Sequence, residues 1–459
     1  MTESRVLSPC GVLGSGFPES SLERGLLMGP HALVCDGGST DMGPASLGTG
    51  VPHFSRAATK RDLRLLLLAR AKLEIPLIIG SCGTAGSSKG LSWMREICLD
   101  ISREEGLAFN LALVHSEQNK EYLKKRMSEG RIIPLDPAPV LTEKTIDSSA
   151  HIVGMMGDEP ISEALGQKAD VVLAGRASDT SIFACVPLRM GADRGLSWHA
   201  AKILECGAAC AVTRKRPDGI FARIRDDHFI IEPLDPEMRC TPQSVASHTL
   251  YENADPFHIV EPGGVLDTTK SAYSAEDERA VCVRGSAYQI ADSYSVKLEG
   301  AELAGYQSVI VGGVRDPYIL RQLDSWLSGM RTGFAERARE IFPDEDGDPN
   351  YHLVIRVYGR DAVMGPLEPL AKEIPHEVGL LFEIMANDQE SARALASTLS
   401  HFAVHYPIPE WSGLISGIAF PFAPAEMDKG PVYRFNINHI VYPDDPYEMF
   451  PIKYEEAGF

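Results

Sequence analysis

From residue 5 to about residue 211 the chain repeats one pattern: a short apolar run, a glycine-rich or polar break, then an amphipathic helix. The runs are "VLSPCGVLG", "HALVCDG", "IPLIIGSC", "FNLALVHS", "HIVGMM" and "DVVLAGR". Between them lie helical stretches such as "KRDLRLLLLARAKLE", where Leu63, Leu66, Leu67 and Leu73 share a face opposite Arg61, Arg64 and Arg70. Runs that are apolar throughout read as strands covered on both faces, and their alternation with helices predicts a parallel sheet. The expected fold is therefore α/β, a Rossmann-like parallel sheet with helices on both faces.

"SWHAAKILECGAACA" (197–211) is expected to be one helix closing this core, and an α+β extension follows to residue 342. Within it "PYILRQLDSWLSGMRTGFAERAREIF" reads as one long helix. The Pro, Gly and Asp of "PDEDGDPN" (343–350) suit a linker. Residues 351–459 then read as a small α+β (ferredoxin-like) domain, with strands that include "GIAFPF" and "YRFNINHIVY", and with Asp388 capping its helix. So the expected division is 1–342, with its parallel core at about 5–211 and extension at about 212–342, then 343–350, then 351–459.

Sixty-three acidic against 44 basic residues give a net charge of −19. That argues against nucleic acid and anionic membranes as partners, since both require a basic face. It leaves room for a small anionic substrate, which a local cluster of N–H groups can hold. "MTESRVLSPCG" shows no basic region followed by an apolar one, and the most apolar window, "LRLLLLARAKLEI", is too short and too charged to span a bilayer. Nine scattered cysteines without a CxxC pair read as reduced thiols of a cytoplasmic protein. A homo-oligomer is the expectation for a soluble chain of this kind.

Ligands of open parallel sheets bind beyond the carboxyl ends of the strands, so the residues after each run are candidates as a set. They are Gly14-Ser15-Gly16; Asp36, Gly37, Gly38, Ser39, Thr40 and Asp41; Ser81, Cys82, Gly83 and Thr84 in "GSCGTAGSSKG"; His115, Ser116 and Glu117; Gly157, Asp158 and Glu159; and Arg176, Ser178, Asp179, Thr180 and Ser181 in "AGRASDTS". Glycine lets consecutive N–H groups converge, and a helix start adds positive potential, so the glycine loops read as an anion cradle. Arg176 suits a substrate carboxylate, and Asp36, Asp41 or Asp179 suits proton transfer, with room for a divalent cation between carboxylates. Asp36 and Asp179 equally suit helix capping. Cys82 reads either as a nucleophile or as a small buried filler. His401 and His405 have metal-ligand spacing on a helix but no nearby carboxylate, and His439 is undecided. There is no GxGxxG with its acidic partner and no GK[ST], so no cofactor is fingerprinted.

"GVLGSGFPESSLERGL", "AGRASDTSIFACVP", "AAKILECGAACA", "LYENADPFHIVEPGGVLDTT" and "SYSVKLEGAELAGYQSVIVGG" occur in that order. The set resembles the acyclic terpene utilisation (AtuA-like) family of bacteria, fungi and plants, over roughly residues 5–340. The C-terminal unit resembles the small α+β domain often attached to that family. The resemblance implies a place beside acyl-CoA carboxylation and small organic-acid breakdown, and it carries Arg176 and Asp179 over as site residues. "DGGSTD" departs from the family pattern in its glycines and hydroxyls. The expected function is an enzyme acting on a small organic acid or its CoA thioester by cofactor-independent acid–base chemistry, as a hydratase or dehydratase, a lyase or an isomerase. The alternatives are a non-catalytic partner subunit of an acyl-CoA carboxylase-type system and an ATP/Mg-dependent phosphoryl enzyme.

Overall fold

The computed structural model describes residues 3–342, 350–408 and 417–458. The chain divides into two compact units, Met1–Glu302 with Arg434–Phe459, and Leu303–Tyr433. Of the 343–350 stretch only Asn350 is among the described residues.

The first unit is mixed α/β. β1 (Ser4–Ser8), β2 (Ala32–Asp36), β3 (Leu77–Gly80), the strand Val171–Ala174 and β4 (Phe109–Val114) lie side by side in that order, every pair parallel. They are the centre of a ten-stranded sheet that is not parallel throughout. Ile220–Ile224 pairs antiparallel with β1, and Ile452–Ala457 pairs antiparallel with β4. The run "HIVGMM" is a strand, Ser149–Met155, but it pairs antiparallel with Lys297–Glu302 in another sheet. Periodicity cannot say which sheet a short apolar run joins, because either offers it a buried face.

Alternation along the strands sends side chains to opposite faces. Leu33 and Cys35 of β2 pack with Leu22, Leu66, Leu67, Met94 and Ile97 from the helices Glu19–Leu27, Arg56–Leu73 and Ser88–Glu105. Val34 packs on the other face with Ile161, Ile182, Phe183 and Trp198 from Glu159–Gly166, Ser181–Arg189 and Arg194–Leu204. The chain thus leaves β3 toward one face and leaves Val171–Ala174 toward the other. These neighbouring strands form a topological switch point, the place beyond whose carboxyl ends open α/β sheets bind ligands.

Three expected elements end differently. The 197–211 helix stops at Leu204 and resumes as a 3-10 turn, Gly207–Cys210, after Gly207 takes φ +56°. The long helix is two, Pro317–Arg321 and Leu323–Ile341, broken at Gln322, whose φ of −127° is not helical. Within "GIAFPF" only an isolated bridge, Gly313 to Ala419, is strand-like.

In the second unit, Tyr351–Tyr358, Val378–Ala386, the latter part of Val296–Val314 and the first part of Glu426–Val441 line up in that order. Leu323–Ile341 and Gln389–Val404 supply Trp326, Met330, Phe334, Leu395 and Leu399 to its core with Phe382 and Ile384. Asp388 caps the second helix by accepting the Ser391 N–H at 2.8 Å, as its position predicts.

The glycines after β2 and β3 are needed because backbones touch there. A Cβ on Gly86 would stand 2.0 Å from the Arg176 nitrogen, and Gly86 holds φ +66°. Gly86→Ala is expected to destabilise the first unit by about 3 kcal/mol or more, from overpacking and a strained φ together. Chemical denaturation checks it, and an unchanged midpoint would mean the two loops part easily.

Candidate functional site

The loop after Val171–Ala174 places Arg176 with 3% of its surface exposed. Its Nε donates to Glu299 Oε2 at 2.9 Å, and its Nη1 donates to Asp179 Oδ1 at 2.9 Å, Ser81 Oγ at 3.2 Å and the Ala177 carbonyl at 3.1 Å. Nη2 makes no hydrogen bond to any described residue. Burial alone would lower the Arg176 guanidinium, but Glu299, Asp179 and Asp36 outweigh it and raise it. Glu299 is buried too, and Arg176 and Lys297 overcome that to hold its carboxyl down at about 2. Thr40 Oγ1 donates to Glu299 at 3.1 Å, which ties the loop after β2 to this centre.

Asp36, at the end of β2, is 5% exposed and accepts the Gly37 N–H at 2.9 Å. Burial pushes its carboxyl well up, and the charge of Asp179 adds to that against Arg176. Partial burial also raises Asp179, with Arg176 opposing, while 29% of its side chain stays exposed. Neither aspartate caps a helix: the caps here are Ser39, which accepts the Asp41 N–H, and Thr180, whose side chain bonds elsewhere. Asp41 is exposed and takes a 2.7 Å bond from the Ser39 hydroxyl. Gly37 and Gly38 are buried against the β3 loop, where their Cβ atoms would meet the Gly80 carbonyl and Thr84 Cα.

The "GSCGTAGSSKG" loop is buried from Gly80 through Ser87. Thr84 Oγ1 accepts the His53 N–H, and Ser81 serves Arg176. Gly83 packs on Gly90. Cys82 is fully buried, and burial raises its thiol well above the usual range, which suits a filler rather than a thiolate. The helix that follows does hold an anion, but it is the chain's own: Ser88 N–H donates to Glu117 Oε2 at 2.7 Å. Glu117 Oε1 lies 2.5 Å from His151 Nδ1. Ser116 staples the site by donating to the Gly86 carbonyl and accepting the Arg176 N–H. His115 is half-buried beside the Ile452–Ala457 strand, its main chain donating to Pro451, and burial lowers its imidazole.

Strand-end logic misses the carboxylates that other elements bring in. Ser178 Oγ donates to Glu261 Oε2 at 2.5 Å, and Thr180 Oγ1 donates to Glu205 Oε2 at 2.7 Å. Lys202 Nζ donates to Glu205 Oε1 at 2.5 Å. Burial raises Glu205 to about 7 against the opposing charge of Lys202. It raises Glu261 to about 8, with Ser178 opposing and Glu205 adding to the rise. Lys202 and Glu205 stand three apart in "AAKILECG", a helical pairing readable in the sequence, whereas nothing local marks Glu261 or Glu299. Asp158 and Glu159 follow Ser149–Met155, outside the parallel sheet. Met156 nevertheless bonds the Arg176 loop at 3.1 and 2.9 Å and keeps them next to it. Burial, then Asp158, raises Glu159 to about 7, and Tyr294 donates to it at 2.8 Å.

Of the predicted residues, Ser178 and Thr180 bond Glu261 and Glu205, Asp36 feels Asp179 and Arg176 through charge, and Thr40, Ser81, Arg176 and Asp179 share one hydrogen-bond network through Glu299. Asp41 and Ser39 lie at its exposed rim, and Cys82, Gly83 and Thr84 serve packing. His439 Nε2 donates to the Pro139 carbonyl at 3.0 Å, and the His401 and His405 rings pack edge-on. Among the described residues no group of three or more His, Cys, Asp or Glu has the placement to hold a metal ion, and no helix is long and apolar enough to cross a membrane.

Residues 65–212 match the family model of the acyclic terpene utilisation family protein AtuA. No curated protein and no solved structure matches the chain. The matched stretch runs from the helix before β3 through the Arg176–Thr180 loop and the Lys202–Glu205 pair. Over those residues, about a third of the chain, it is similar to the AtuA family of acyclic terpene utilisation proteins.

Proposed function

We propose that the protein is an enzyme acting on a small organic acid or its CoA thioester by acid–base chemistry that needs no cofactor: hydration or dehydration, C–C lysis or isomerisation. The observation that carries this is the pair of buried carboxyls, Glu205 and Glu261, held near 7 and 8 and hydrogen-bonded to the loop that carries Arg176 and Asp179. Acids that titrate near neutral pH are what general acid–base catalysis requires. The free Nη2 of Arg176 suits a substrate carboxylate, and Asp36 and Asp179 suit proton transfer beside it. Five parallel strands with helices on both faces support the Rossmann-like reading of the first unit. The order strand, two helices, strand, strand, helix, strand in Leu303–Tyr433 supports a ferredoxin-like unit there, over bounds that differ from the 351–459 read in the sequence. Nine free cysteines fit a cytoplasmic setting.

A thermal-shift screen of di- and tricarboxylates, hydroxy acids, acyl-CoAs and nucleotides tests the reading. It is run with and without magnesium, calcium or manganese, so that a ligand which binds only together with a divalent cation is also detected. A ligand that binds only the folded state raises the melting temperature. On the ligand so identified, Asp179→Ala is expected to abolish turnover while moving the melting temperature by only a few degrees, since Arg176 keeps Glu299. Unfolding of that variant would make Asp179 a structural partner instead. No shift with any compound would favour the second reading, a non-catalytic partner subunit. That reading draws on exposed apolar residues between Tyr351–Tyr358 and Val378–Ala386, Val363 at 86%, Leu367 at 79% and Ile374 at 62%.

A further inference from the structure

A cavity of about 630 Å³ lies beyond the carboxyl end of β1, a size suited to a small molecule. One wall is the loop leaving β1, with Gly11, Val12 and Ser15. The other is the turn from Cys206 to Asp218, which brings Arg214, Lys215 and Arg216 to the cavity. Three consecutive cations on one cavity wall stand out in a chain of net charge −19.

Their existing partners are weak competitors. Lys215 meets Glu237 at 2.6 Å and Arg216 meets Asp235 at 4.0 Å, with both cations and Glu237 well exposed. Exposed pairs contribute at most about 1 kcal/mol, so a multiply charged anion displaces them. Arg214 makes no ion pair with any described residue. The wall's own carboxylate, Asp218, is occupied by Ser21 Oγ at 2.9 Å and the Gly219 N–H at 2.7 Å. Val12 and Ala209 leave apolar wall for an uncharged portion of the ligand. The cavity also adjoins the carboxyl cluster: Cys206 on its wall follows Glu205 directly, and after burial the charges of Glu205 and Asp179 are among the influences that raise its thiol.

We infer that this cavity binds the phosphate-bearing end of a ligand of the CoA or ATP kind, its phosphates on Arg214, Lys215 and Arg216. The inference rests on the acid–base reading, because a ligand held there extends its reacting end toward Glu205. Titration calorimetry of the full chain with CoA, ATP and phosphate-free pantetheine tests it. CoA or ATP is expected to bind, more weakly as salt rises from about 50 to 300 mM, and pantetheine is not. Replacing all three cations by alanine should weaken that binding at least about tenfold. The three side chains are exposed, so the denaturation midpoint of the variant should stay put. CoA binding well above ATP would point to a thioester, and the reverse to a nucleoside triphosphate; both uphold a phosphate site. Binding of neither, or equal binding by the triple variant, overturns it. Glu205→Gln separates the two readings, since retained CoA binding in that variant upholds the cavity whatever its turnover.

Discussion

Glu261→Gln is expected to slow turnover by about 10²–10⁴-fold, the usual share of a general acid or base, while stabilising the folded chain at pH 8. The two effects have one cause. Burial raises the Glu261 carboxyl from 4.5 to about 8, so the folded state binds its proton more tightly than the unfolded chain does. A raised pKa contributes stability that is fully present below the unfolded value and is lost as pH climbs through the folded one. Stability should therefore fall between about pH 4.5 and pH 8, and Glu205, raised to about 7, adds to the same slope. Glutamine is an uncharged stand-in for the protonated acid, and it still accepts the Ser178 hydrogen bond. Denaturation of both forms at pH 5 and pH 8 measures this. The variant should lose much of the pH slope and gain on the order of a few kcal/mol at pH 8. A less stable variant at pH 8 would show that the native carboxyl is ionised and paired, and the acid–base role would go with it.

Arg176→Met should cost about 3–5 kcal/mol, the effect of removing one partner from a buried ion pair. Glu299 and Asp179 would be left without the guanidinium, and Ser81 without its donor. Adding Glu299→Gln should recover part of the loss, because a neutral amide no longer needs a buried cation. The pH dependence runs opposite to that of Glu261. The Glu299 carboxyl sits at about 2 when folded, so its contribution is present above the usual 4.5 and disappears as pH falls toward 2. Urea midpoints at pH 7 and pH 3 test the pair, and the gap between native and Arg176→Met protein should narrow at pH 3. A gap that does not narrow would mean the arginine contributes through packing and its neutral hydrogen bonds.

These expectations also limit what activity assays on Arg176 can show. Substituting it disturbs Ser81, Asp179 and Glu299 together, so lost binding in that variant would not by itself identify a substrate contact. Asp179 and Glu261 are cleaner probes, since each can change with Arg176 and Glu299 still joined.

The sequence determined the five buried runs of the parallel sheet, the helices between them, and the loops at their carboxyl ends that hold Asp36, Ser81, Arg176 and Asp179. Those features are local, because a strand buried on both faces must be apolar along its length and a helix on one side of it must be amphipathic. Asp388 as a cap was legible for the same reason, since a cap bonds only to its own helix. Only the tertiary structure decided that "HIVGMM" joins another sheet, that Ile452–Ala457 closes the edge beside β4, and that Glu117 fills the helix start read as an anion cradle. It alone brought Glu299 to Arg176 across 123 positions and Glu261 to Ser178 across 83. No periodicity encodes such meetings: a carboxylate's partner and its titration depend on what the fold packs around it, and burial is a property of the whole chain rather than of the segment that carries the group.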